Sequence, residues 1–162
     1  MRLLIRKTFE IIARIRKVRK DKAIVDTTSF SRERASRHYE MRIGRKKKRY
    51  AKTIAIYSAK VDAVCDIGAD FDSKHDIKML EGKLDAIAES GFFDGIVGDK
   101  GFDSGLLMKD AIERGIEPYI DVRGGKLDPK GGVRFRSKLN FEALRGEAGN
   151  VRALVESLFL LG

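Results

Sequence analysis

The chain has 162 residues, 43% of them hydrophobic, with a single cysteine and a formal net charge of +10. That length suits one domain with a real core; the lone Cys65 excludes an intramolecular disulfide framework and a cysteine zinc site; and no apolar run approaches the length of a membrane span. Residues 1–60 hold 20 Lys and Arg against 5 Asp and Glu, residues 61–122 hold 6 against 15, and residues 123–162 hold 8 against 4, so a basic first third, suited to a polyanion, adjoins an acidic middle suited to a metal ion.

In chain order, residues 3–19 have the pattern of a basic amphipathic helix, with Leu4, Ile11, Ile12, Ile15 and Val18 on a broad apolar face. Residues 22–28 predict a strand. Residues 31–49 are polar and basic, with RKKKR at 45–49, and predict a loop. Thr53 to Ser58 and Val61 to Ile67 predict two more strands, close enough for a hairpin. In the second, Val61, Ala63, Cys65 and Ile67 alternate with mostly polar residues, which makes Cys65 a buried structural thiol. The period then changes. Ser73 and Asp76 form a capping-box pattern, Ile77, Leu80, Leu84, Ile87 and Ala88 follow at helical spacing, and Gly91 ends the helix. Gly95 to Gly98 is a short strand leading to Asp99. Asp103 or Ser104 caps a further helix through Arg114, ended by Gly115, and Tyr119 to Val122 is a fifth strand. Residues 123–147 are rich in Gly and charge and show no clear period. A last helix carries Val151, Leu154, Val155, Leu158 and Phe159 on one face. Three hairpin-linked strands followed by βαβ steps predict an α/β fold, a mixed five-stranded sheet with helices on its faces.

Three carboxylates stand out. Asp26 interrupts the apolar run AIVDTTS, although Asp is disfavoured in strands and costly to bury. Asp99 lies at the carboxyl end of a strand, where α/β folds place ligand sites, between Gly98 and Gly101. Glu156 lies four residues after Arg152, in the weaker order for an ion pair along a helix. Asp, Asp and Glu on rigid elements of a basic protein point to a divalent-metal site for phosphodiesters. His38 and His75 are isolated and have no ligand-like spacing.

VDTTSF around Asp26, GDKGFDS around Asp99 and NVRALVESLF around Glu156 resemble, in this order, the DDE transposases of bacterial and archaeal insertion sequences. The likeness covers roughly residues 20–162. It implies a ribonuclease H-like catalytic domain over 21–162, with 1–20 as a basic helical lead-in. In that fold the first and fourth strands are parallel neighbours, which brings Asp26 and Asp99 together. The family's third motif is Y-x2-R-x3-E-x6-K. Arg152 and Glu156 match it, Gly149 stands at the Tyr position, and the Lys falls one residue past Gly162. The resemblance therefore also implies a domain cut short at its C-terminus and a weak or inactive catalyst.

The implied activity is metal-dependent cleavage of transposon ends and strand transfer into target DNA. Asp26, Asp99 and Glu156 would hold two Mg²⁺ or Mn²⁺ ions. Arg42, Arg45, Lys46, Lys47, Lys48, Arg49, Lys100 and Arg152 would contact DNA backbone. The implied partners are transposon-end and target DNA and a second copy of the chain or more, with no membrane. Two other readings compete: a truncated remnant that only binds DNA, and another ribonuclease H-like nuclease or resolvase. With no secretory apolar region, and an N-terminus poor in Ser and carrying Glu10, the expected location is cytoplasmic, at the nucleoid.

Overall fold

The structure, a computed structural model, describes residues 2–31, 50–71, 75–123 and 131–148. Three β-rich stretches, β1 (Asp21–Ser31), β2 (Tyr50–Ser58) and β3 (Ala63–Asp70), pair antiparallel in sequence order. Then β4 (Phe93–Gly98) inserts parallel to β1, and β5 (Glu117–Ile120) parallel to β4. The resulting order is β3-β2-β1-β4-β5. This is the mixed, helix-flanked five-stranded sheet expected from the sequence, and it is consistent with a ribonuclease H-like fold.

Helix α1 (Arg2–Ile15) precedes the sheet and packs across β3. It ends in a Schellman motif: Lys17 takes a positive φ of 54°, its N–H reaches the Arg14 carbonyl, and the Val18 N–H reaches back to Ala13. Its buried face differs from the expected one. Phe9 and Ala13 are buried and Ile12 packs beside them, whereas Leu4, Ile11 and Ile15 are exposed. Apolar residues on both sides of the helix leave its orientation to aromatic packing, and Phe9 meets the rings of Phe92 and Phe93 at 5.5 and 5.8 Å.

The hairpin between β2 and β3 contains a register shift at Ile56/Tyr57, where Ile56 faces Asp66 and Tyr57 faces Val64. The bulge breaks the expected alternation and buries both Cys65 and Asp66. Burial and the adjacent Asp66 carboxylate push the Cys65 thiol up to about 12, so it is the inert structural thiol the sequence predicts. Asp66 receives Arg6 of α1 at 2.8 Å and Lys83 at 3.0 Å, which ties three segments together.

The single helix expected after β3 is two short ones, α2 (Asp76–Glu81) and α3 (Leu84–Glu89). Lys83 sits in the break because its Nζ must reach Asp66 and the Ile67 carbonyl. Ser73 of the expected capping box lies outside the described residues, and α2 begins at Asp76 after an N-cap at His75 that makes no side-chain cap bond. Farther on, α4 (Gly105–Glu113) is capped by Ser104, whose Oγ accepts the Leu107 N–H. The stretch expected to lack period contains a long helix, α5 (Val133–Ala148). The apolar helix expected near Glu156 lies outside the described residues.

Two apolar layers result. The larger joins Val25, Ile54, Ile56, Ile96 and Ile120 to α1, α2, α3 and α4. The smaller, on the opposite face, holds Ile24, Tyr57 and Val97 under Phe141 and Leu144 of α5.

Candidate active site

Strand alternation decides where each carboxylate points. Asp26 follows Ile24 by two residues, so it shares the face covered by α5, while Val25 and Thr27 turn to the larger core. Ile24 lies level with Val97 in the parallel pair. Two residues farther along come Asp26, midway along β1 and just past its last pairing with β4, and Asp99, just past the carboxyl end of β4.

Asp26 is partly buried, and its carboxylate accepts the Thr27 N–H at 2.7 Å. Burial raises its pKa, and the negative charges of Asp99 and Asp76 raise it further, against the lowering effect of the Thr27 N–H. Asp99 is exposed just past β4, where its Oδ1 accepts the Gly101 N–H at 2.8 Å and caps the 3₁₀ turn Lys100–Phe102. Two glycines make this approach possible. A Cβ on Gly98 would meet Phe102 at 2.9 Å and Val25 at 3.2 Å; one on Gly101 would meet Asp99 Oδ1 at 2.9 Å and Asp76 Oδ2 at 3.0 Å. The second clash also locates Asp76, because both carboxylate oxygens lie within that distance of one point above Gly101.

Asp76 is the residue that sequence reasoning missed. It was expected to be a capping-box partner. Instead its carboxylate accepts from the Thr27 hydroxyl and pairs with Lys52 Nζ at 2.8 Å. Lys52 lies on β2, opposite Ser29 of β1. The signal in the sequence was Asp in a helix first turn, which capping explains equally well; its neighbours are far away along the chain, and only the fold brings them in.

Lys100 is exposed and reaches Asp121 at 3.6 Å. Of the two cap candidates Asp103 and Ser104, Ser104 caps α4, and Asp103 binds Arg134 through both carboxylate oxygens. Burial raises its pKa, but the bonds from Arg134 and the Arg123 N–H outweigh this and lower it.

The structure thus brings Asp26, Asp76 and Asp99 to one end of the sheet. Glu156 and Arg152 lie outside the described residues, as do Arg42, Arg45, Lys46, Lys47, Lys48, Arg49 and His38. Among the described residues, no three Asp, Glu, His or Cys side chains stand close enough together to hold a metal ion, and no helix is long and apolar enough to cross a membrane. The donor chemistry nonetheless fits a hard divalent cation: carboxylate oxygens on neighbouring strands, one with its pKa raised by burial and by its acidic neighbours, gain from a positive charge beside them.

The family described as transposase DDE domain matches residues 18–159. No curated protein and no solved structure matches the chain.

Proposed function

The chain belongs to the transposase DDE domain family, and from that premise we propose that it cleaves transposon-end DNA with divalent metal ions and joins the freed 3′-hydroxyl to target DNA. The observation that carries this reading is that Asp26 of β1 and Asp99, just past the end of the neighbouring β4, stand near enough for the Asp99 charge to add to the burial that raises the Asp26 pKa. Asp26 and Asp99, with Glu156 as the third carboxylate, hold Mg²⁺ or Mn²⁺. Two such ions, when bound, supply charge stabilisation for the attacking and leaving oxygens of an in-line displacement.

The remaining work belongs to the chain's own residues. The Thr27 and Gly101 N–H groups hold the Asp26 and Asp99 carboxylates in fixed rotamers. Lys52, paired with Asp76, and Lys100, next to Asp99 in the chain and paired with Asp121, carry ammonium groups that suit the DNA backbone. Arg42, Arg45, Lys46, Lys47, Lys48, Arg49 and Arg152 extend that contact along the duplex. Action on paired ends requires two copies or more of the chain.

The test is nicking of supercoiled plasmid with Mg²⁺ and with Mn²⁺, beside Asp26→Asn and Asp99→Asn, followed by a search for strand-transfer products from pre-nicked ends. Metal-dependent nicking lost in both variants supports the site. Nicking without strand transfer assigns a hydrolytic nuclease of the same fold. Absence of both reactions, with retained DNA binding, leaves a DNA-binding remnant and ends the enzymatic reading.

A further inference from the structure

We infer that Asp103 is a positioning residue for Asp99, acting through the turn between them, which Arg123 and Arg134 fasten to the end of β5 and to α5. The inference rests on the proposed function, since it concerns how one of the proposed metal ligands is held.

Asp99 leaves the sheet and stands exposed on a single 3₁₀ turn. Internal bonds give that turn its shape: Gly101 N–H to Asp99 Oδ1 at 2.8 Å, Phe102 N–H to the Asp99 carbonyl at 3.1 Å, and Asp103 N–H to the Lys100 carbonyl at 3.4 Å. Shape alone does not aim a carboxylate, because one short 3₁₀ turn is weakly held by its own bonds. Its orientation must come from anchors outside it.

Three anchors are present. Phe102 is fully buried against Gly98. Arg123 Nε donates to the Lys100 carbonyl at 3.1 Å, one residue from Asp99. Asp103 closes the far end. Its side chain is only 4% exposed, and it accepts Arg134 Nε at 3.0 Å, Arg134 Nη2 at 2.8 Å and the Arg123 N–H at 3.0 Å. A forked guanidinium–carboxylate pair fixes direction as well as distance. It is not needed as a helix cap, since Ser104 does that. An ion pair with a buried carboxylate is also a poor source of net stability compared with apolar packing. Orientation is the property it supplies.

The experiment compares the wild-type chain with Asp103→Asn, which keeps shape and loses charge, and Arg134→Lys, which keeps charge and loses the fork. Nicking is measured against Mg²⁺ and against plasmid concentration, and amide hydrogen exchange is followed at Gly101, with melting curves as a folding control. In both variants the Mg²⁺ concentration for half-maximal nicking should rise about 10- to 100-fold, the range seen for residues that orient metal ligands. KM for DNA should hold within a factor of about two, and Gly101 exchange should accelerate. A merely structural pair would lower the melting temperature and leave the metal dependence of the folded protein unchanged. Folded Asp103→Asn or Arg134→Lys with wild-type metal dependence and wild-type Gly101 exchange overturns the assignment. If no protein nicks DNA, the functional reading fails, and Gly101 exchange decides alone whether Asp103 holds the turn.

Discussion

At the scale of single residues, Asp26 carries a cost that the fold alone does not explain. It sits partly buried in a strand, beside two other carboxylates, and burial and both neighbours disfavour its charge by more than the Thr27 N–H favours it. The sign of the consequence is fixed. Its folded pKa lies above its unfolded one, so the native state binds more protons over that interval and stability falls as pH rises through it. Above the raised value the penalty is complete. Asp26→Asn removes it, and an amide oxygen still accepts the Thr27 N–H. The variant should therefore melt at a higher temperature than wild type at pH 7, and the gap should close as pH drops below the ordinary carboxylate range. A paired calorimetric pH series checks this; a variant less stable at neutral pH would mean that Asp26 is held by favourable contacts. Asp26 stood out in the sequence because an acid interrupting an apolar run has little structural reason to be there, and Asp99, which also caps a turn, stood out through the motif GDKGFDS around it. Asp76 and Lys52 were not, because their chemistry depends on a contact with Thr27 spanning 49 residues.

At the scale of elements, legibility follows the strength of the period. The five strands and α4 were readable from short apolar runs or alternation in the strands, from the helical spacing of α4, and from Gly115, which closes that helix with a φ of +76°. Helix α5 was not. It wraps the edge of β5 through polar seams: Arg136 and Asn140 reach Glu117, Asn140 also reaches the Pro118 carbonyl, and the fully buried Ser137 accepts the Ile120 N–H at 2.9 Å. A helix that docks by satisfying an edge strand has little apolar stripe to show. The break between α2 and α3 was hidden for a related reason: Lys83 leaves the helical path for a buried partner on another strand. The polar docking of α5 makes a sharp prediction. Ser137→Ala strands the Ile120 N–H in the interior, and an unsatisfied buried donor costs about 1–3 kcal/mol. Urea unfolding should show a lowered midpoint with an unchanged slope. A neutral result would mean that water or another group reaches the edge of β5 once the hydroxyl is gone.

At the scale of the whole molecule, charge is sorted along the chain, and the fold sets strands of the basic first third between strands of the acidic middle. Residues 61–122 contribute β3, β4, β5 and helices α2 to α4, with Asp76 and Asp99 among their 15 acids. The basic first third contributes α1, β1 and β2, and with them Lys52 beside Asp76. On the proposed function, a polyanion drawn to the basic part would meet the carboxylates where β4 ends alongside β1. Attraction of this kind is sequence-independent and carried by released counterions, each neutralised phosphate adding about 0.9 to the slope of log affinity against log salt on duplex DNA. Replacing Arg45, Lys46, Lys47, Lys48 and Arg49 together with Ala should flatten that slope by up to about 4–5 units if every one of them meets a phosphate. The loss should be similar on unrelated duplexes, because backbone contacts carry no base information. Fluorescence anisotropy over a salt series measures both quantities. An unchanged slope would place this run away from the DNA and leave α1 and the residues around Lys52 as the cationic surface. A loss confined to one sequence would instead assign the run to base recognition.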